Sequence, residues 1–318
     1  MSLVTPNQGL RKFHLDIDSA NRDRRAYPNP NSYTMELDQE YYGVNQLKLT
    51  NAIIPNSMYI IDEHNRYIYF TWIIPNPTSA GEATLRIGDY TPIGLAKELT
   101  RALNNPVYQP GGIGPFVPQV FKVTYDDNTN KFTFQVTFGG SVTFLFNSYG
   151  NVTPQYPKLC QIETGFYIDE DYGMSGIPAT ITAPNRINLS GPREVLISID
   201  DTVNNFGYIR RGGSGPSNAT GNENTNLLTG QRVFFAAIDL NATPGTLTFF
   251  KNNGDYSNDY CFNQGSEKTV KRLSVSFWIE RNRTIIPYNF RGIGHTLTFE
   301  INAHLDKTWS KSYKRNCY

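Results

Sequence analysis

Histidine is scarce in this chain: His14, His64, His295 and His304 are the whole supply. None sits in an H-E-x-x-H or comparable metal-ligand spacing. Cys160, Cys261 and Cys317 are far apart, and no C-x-x-C occurs, so neither a zinc site nor a disulfide framework is indicated. There is no G-x-S-x-G elbow and no P-loop. Gly112 and Gly114 lack the helix that phosphate binding needs, and Pro115 and Pro118 break the chain just beyond them. Asp16 and Asp18 form a D-x-D that a strand would turn to one face, where paired carboxylates could do acid–base or calcium work. Arg22, Arg24 and Arg25 are their nearer partners. Asp169-Glu170-Asp171 and Asp200-Asp201 read as turn acids without EF-hand spacing, and His295 as a residue serving backbone groups where a strand begins. The expectation is no catalytic residue, no metal and no cofactor: not an enzyme.

The richest segment is 13–38, FHLDIDSANRDRRAYPNPNSYTMEL as far as Leu37. An extended run (Phe13, Leu15, Ile17) ends in Asp18-Ser19. Arg22, Asp23, Arg24 and Arg25 follow, then Pro28 and Pro30, then a new alternating strand at Tyr33, Met35 and Leu37. A proline-stiffened arm crossing a surface before entering a sheet suits a protein that ties subunits together. Arg22, Arg24, Arg25, Tyr27, Pro28 and Pro30 are therefore the expected interface residues, with forked arginine donors for carboxylates on a partner. Residues 1–30 are expected to form an extended N-terminal arm that adds little to the core.

The elements behind this arm are strands. Phe132, Phe134, Val136 and Phe138 alternate with Thr133, Gln135 and Thr137; Leu273, Val275, Phe277 and Ile279 alternate with serines; Leu297, Phe299 and Ile301 alternate with polar residues. A period of two marks half-buried antiparallel strands. Further strands read at 44–53, 66–73, 83–87, 119–125, 142–146, 194–200, 233–239 and 246–251. Residues 67–74 are apolar on both faces, as in a central strand. Asp126–Asn130 reads as a hairpin loop. One helix is predicted over 92–104: Thr91 caps it, Pro92 fits its first turn, and Leu95, Ala96, Leu99, Ala102 and Leu103 share a stripe. The predicted fold is all-β, an antiparallel β-sandwich built as a single elaborated jelly roll with one short helix. Its domain is placed at 31–304, with loop insertions at 106–118 and 211–226 and a basic C-terminal tail at 305–318.

Composition agrees. Aromatics are 13% of the 318 residues and charged residues 18%, a mix that favours pleated surfaces despite a mean hydropathy of -0.44. Net charge is +1, which gives no support to bulk nucleic-acid binding. No apolar run is long enough for a transmembrane helix, and MSLVTPNQGLRKF lacks the apolar centre of a signal peptide. Free thiols fit a reducing compartment.

Together, the 13–38 segment, Ile54-Pro55-Asn56-Ser57-Met58-Tyr59, and Asn289-Phe290-Arg291-Gly292 with His295-Thr296-Leu297-Thr298-Phe299 resemble the jelly-roll minor capsid and penton proteins of nucleocytoplasmic large DNA viruses. A capped helix introduced by Gly88-Asp89-Tyr90 resembles the same family. The matching residues are Asp18, Ser19, Arg22, Asp23, Tyr27, Pro28 and Pro30, then Pro55, Asn56, Ser57 and Tyr59, then Phe290, Gly292 and His295. The resemblance implies a structural virion protein, either a penton at the vertices or a minor protein cementing major capsomers. Its partners would be the major capsid protein, other capsid proteins and copies of itself, five in a penton. It would assemble in host cytoplasm. The alternative is a carbohydrate-binding or receptor-attachment jelly roll, with the 211–226 loop and the many tyrosines carrying recognition.

Overall fold

A computed structural model describes residues 11–73, 78–108, 120–137, 140–146, 159–167, 170–200, 205–206, 208–210, 232–252, 259–261, 268–281 and 284–304. The expected loop at 211–226, most of that at 106–118 and the expected tail at 305–318 lie outside these residues. In chain order the elements begin with β1 (Arg11–Asp18), β2 (Ser32–Pro55), β3 (Tyr67–Ile73), β4 (Thr78–Thr84), α1 (Pro92–Leu103), β5 (Val107–Tyr108), β6 (Phe121–Asp126), β7 (Lys131–Val136) and β8 (Gly140–Phe144). Then come α2 (Gln161–Thr164), β9 (Tyr172–Gly176), β10 (Ala179–Thr182), β11 (Glu194–Asp200), β12 (Asn205–Phe206), β13 (Tyr208–Arg210) and β14 (Arg232–Phe234). The last are β15 (Ala236–Asp239), β16 (Leu247–Lys251), β17 (Asp259–Cys261), β18 (Lys268–Arg281), β19 (Thr284–Pro287) and β20 (Thr296–His304). The chain is all-β, with every strand ladder antiparallel.

These elements form two compact units. Among the described residues, unit 1 holds those up to Met58 and those from Pro192 on, and unit 2 holds Tyr59–Gly191. The sequence reading drew one domain over 31–304. The division was hidden because the chain passes between units at Met58–Tyr59 and Gly191–Pro192, without a linker of distinctive composition. Each unit instead has its own hydrophobic core. α2, a single turn, adds to the one helix expected.

Unit 1 is organised by β2. Its first half, from Ser32 to Val44, pairs with β18, and its second, from Tyr42 to Ile53, pairs with β20. The ladders slip at the changeover, where Gly43 takes φ 57°, a left-handed value that suits glycine. A bulge of this kind lets one strand serve both layers of a sandwich. Sheet order runs β1-β20-β2-β18-β11-β12, with β15 beside β11 and both β16 and β17 beside β2. Leu297, Phe299 and Ile301 of β20 share a core with Val195, Ile197 and Ile199 of β11 and with Leu273, Val275 and Phe277 of β18. Phe235, next to β15, meets Phe299 with ring centroids 5.9 Å apart, joining the two layers.

β1 belongs to this body. All eight of its residues pair with β20, from Arg11 opposite Ala303 to Asp18 opposite Thr296, and Ile17 and Ser19 are buried. The expectation of an arm adding little to the core fails for residues 11–19. The alternation of Phe13, Leu15 and Ile17 is that of a strand with one face on a core.

Unit 2 consists of a five-stranded sheet, β5-β4-β3-β8-β9, and a three-stranded sheet, β10-β7-β6. β3 lies between β4 and β8, which accounts for a sequence apolar on both faces. The Asp126–Asn130 turn joins β6 to β7, with the Asp126 carboxylate accepting from Asn128 N and Thr129 Oγ1. α1 begins where Thr91 Oγ1 accepts from Gly94 N at 3.1 Å and buries Leu95, Ala96, Leu99, Ala102 and Leu103. At its far end the Asn104 side chain accepts from Val120 N and Phe121 N and donates to Phe121 O, fastening the helix to the start of β6.

Candidate functional site

The three sequence stretches that carry the resemblance are far apart in the chain, and all but Tyr59 lie in unit 1. Their residues form hydrogen-bonded joints. The first joint fastens the end of β1 to the start of β20. Ser19 N donates to His295 O at 3.0 Å, and His295 N donates to Ser19 Oγ at 2.8 Å. His295 Nε2 meets the Tyr33 hydroxyl at 2.9 Å, and the imidazole lies 4.3 Å from both the Phe277 and Phe290 ring centroids. The His295 main chain bonds Ser19 at this strand entry, while its imidazole bonds a side chain, Tyr33, and not the backbone groups it was expected to serve. Its ring contact with Tyr33 had no sequence signal, because 262 residues separate the two.

The second joint holds the segment after β1. Arg22 Nη1 donates to Ser19 O at 2.7 Å, Nε to Tyr27 O at 2.9 Å, and Nη2 to Pro28 O at 3.0 Å. Asp23 Oδ1 accepts from Arg25 N at 2.9 Å, and Tyr27 N donates back to Asp23 O at 2.8 Å. Arginine suits this place because its guanidinium carries five N–H donors in a rigid fork.

The third joint ties the end of β2 to the segment after β19. The Tyr288 hydroxyl donates to Pro55 O at 2.6 Å and accepts from Ser57 N at 3.1 Å; Ser57 Oγ donates to Asn289 O at 2.9 Å. Asn56 Nδ2 donates to Ala242 O at 2.8 Å. Tyr288 was missed from sequence: a tyrosine beside Pro287 carries no pattern of its own, and only its partner across the fold gives it a role.

Electrostatics mark the first joint as neutral. Burial, reinforced by the positive charge of Arg22, lowers the His295 pKa to about 3. Burial, with Asp18 adding and Arg22 opposing, pushes the Tyr33 hydroxyl far up. Burial also raises Tyr288. The joint is thus an uncharged imidazole against an un-ionised phenol, without a base or nucleophile facing solvent.

Of the six expected interface residues, Arg24, Arg25 and Pro28 are exposed, Arg22 and Tyr27 are half-buried, and Pro30 is buried. Asp18 Oδ1 accepts from Ala20 N at 2.8 Å, so this carboxylate caps the turn after β1. Among the described residues no group of three or more His, Cys, Asp or Glu side chains could hold a metal ion. Cys160 is a free, buried thiol whose pKa is raised by burial. Phe249, 72% exposed, and Leu247, 46% exposed, stand on β16, whose described partner is β2.

An all-β chain whose resemblance-bearing residues form structural joints is the class that fold and site define. The chain belongs to the family of unknown function DUF5901, whose model matches residues 7–241. No curated protein matches the sequence. The chain is similar to the mavirus penton protein at 13% identity and a TM-score of 0.47, covering 92% of this chain and 100% of that one. It is also similar to a chain of the Sputnik virophage structure at 11% identity and a TM-score of 0.40, covering 92% and 98%. Likeness at this level says nothing of what the chain does.

Proposed function

We propose that this chain is a structural, non-enzymatic virion protein: a capsid subunit acting as a penton or as a minor protein between major capsomers. The observation that carries the reading is the meeting of the resemblance-bearing residues Ser19, Arg22, Pro55, Ser57, Phe290 and His295 in the joints of one β unit. Residues that serve architecture are what a shell subunit has in common with its relatives. Its partners are other capsid proteins and copies of itself, its place is the virion, and it assembles in host cytoplasm.

In this reading Arg24, Arg25 and Pro28 are the exposed interface residues, while Arg22, Tyr27 and Pro30 hold their segment in shape. Phe249 and Leu247 add apolar surface of the kind an assembling subunit covers. The test is the mass of the purified full chain by native mass spectrometry, alone and with capsid proteins of a virus that encodes a member of this family. A pentamer supports the vertex position. A monomer or trimer that binds the capsid proteins supports the cementing one. A chain that remains a monomer and binds none of them overturns the reading.

A further inference from the structure

His295 is 2% exposed, and its Nδ1 is buried with no hydrogen-bond partner. An imidazolium presents two N–H donors and needs two acceptors. The Tyr33 hydroxyl, alone among the described residues, stands ready, on Nε2. Among the described residues, the elements packed on the ring offer aromatic surface but no acceptor for a second N–H. β18 contributes the neutral Phe277, the segment after β19 contributes Phe290, and β2 contributes Tyr33. Of the charged groups nearby, Arg22 repels a proton on the ring, and the Asp18 carboxylate, which acts on Tyr33, has its Oδ1 engaged by Ala20 N. The backbone of this same residue holds Ser19 from both sides, and Ser19 O in turn holds Arg22. The proton-sensitive ring and the fastening of the N-terminal segment are therefore one residue.

We propose that His295 is an acid-released latch: when it takes up a proton, the end of β1 and the turn to Arg22, residues 17–22, come away from the start of β20 while the pairing of β2 with β18 persists. The sign follows from linkage. The ring's folded pKa, about 3, is depressed below the ordinary 6.5. The closed latch therefore holds the neutral ring and has its full strength above pH about 6.5. Each unit of pH below that, down to the folded value, favours the open, protonated form by up to about tenfold.

Hydrogen exchange of the full chain tests this, comparing pH 7.0 with pH 5.0 after correction for intrinsic rates. Amides of residues 17–22 should gain opening by up to about thirtyfold, most of it above the carboxylate range, while those of β2 and β18 stay unchanged. H295Q should abolish the dependence, because its backbone still reaches Ser19 and its amide does not titrate. H14Q, which alters the other histidine of this segment, should retain it. If H295Q does not fold, the wild-type profile decides: a rise of up to about thirtyfold between pH 7 and 5, steepening toward one proton at the acid end and confined to residues 17–22, supports the latch. A flat profile, a slope that survives in H295Q, or parallel loosening of β2 and β18 overturns it.

Discussion

Units 1 and 2 solve the same problem, a β core, with different materials. Unit 2 packs rings. Phe134 lies 5.2 Å from Phe144 and 5.4 Å from Phe166, Phe70 lies 5.3 Å from Phe121, and α1 covers the strands with leucine and alanine. Unit 1 packs aliphatic side chains from long strands around fewer rings, with Phe277 and Phe290 4.9 Å apart, and sets buried polar groups into joints at Ser19, His295, Ser57 and Tyr288. Rings bury large areas in edge-to-face arrangements, so losing one from unit 2 is chiefly a loss of buried area. Polar joints demand geometry and are costly when one partner is lost; unit 2 has its own, such as Asn65 Nδ2 donating to Glu163 Oε1 at 2.6 Å, but those of unit 1 join the two ends of the chain. Ser19, Arg22, Pro55, Ser57, Phe290 and His295, which carry the resemblance, belong to the joints of unit 1.

Removing a ring should separate the two. Phe134→Ala in unit 2 is expected to cost about 3–5 kcal/mol, the loss of a buried phenyl plus the cavity it leaves. Denaturant unfolding followed by hydrogen exchange in β6 and β7 reads it. In unit 1 the comparable deletion is a single oxygen: Tyr288→Phe leaves Pro55 O and Ser57 N without their partner. The expected cost is about 1–3 kcal/mol. If it destabilises by less than a surface substitution does, the joint is not what holds unit 1. A smaller effect is expected at the helix start, where Thr91→Ala removes the cap on Gly94 N for about 1 kcal/mol by thermal melting. The smallest sharpens the contrast in pH response. Burial acts to raise the Glu98 carboxyl, but hydrogen bonds from Arg101 and Arg86 N outweigh it and hold its pKa below the usual carboxylate value. That contribution to unit 2 is complete above the unfolded value, about 4.3, and is lost as pH falls through the folded one. Glu98→Gln should therefore flatten the acid limb of unit 2 below pH about 4.3 and leave the response at His295 untouched.

What could be read in advance follows the same line. α1, the Asp126–Asn130 turn and β7 are local: cap, stripe, turn residues and alternation lie within a dozen positions of each other. Unit 2's framework was legible for that reason, although short β9 and β10, with small residues such as Gly173, Gly176 and Ala179, carry too little pattern to mark strands. Unit 1 is written across the length of the chain. β2 reads as two strands because its bulge at Gly43 interrupts the alternation. β1 reads as an arm because its partner begins 278 positions later, with Thr296 opposite Asp18. Prolines 28 and 30 suggested a segment reaching outward, yet Arg22 folds it back onto its own chain by binding Tyr27 O and Pro28 O. A charged cluster shows no direction until its acceptors are known.

The central claim is that residues 11–22 are part of unit 1's fold and not a free arm. Deleting residues 1–25 removes β1, Ser19 and Arg22 together while sparing β2. Thermal unfolding of that shortened chain is the direct measurement. The account predicts that unit 1 loses its cooperative transition or melts far below the intact chain, because Ile17 leaves the core and the start of β20 loses Ser19. An unchanged cooperative transition, with only assembly lost, would show the segment to be a free arm and contradict the account.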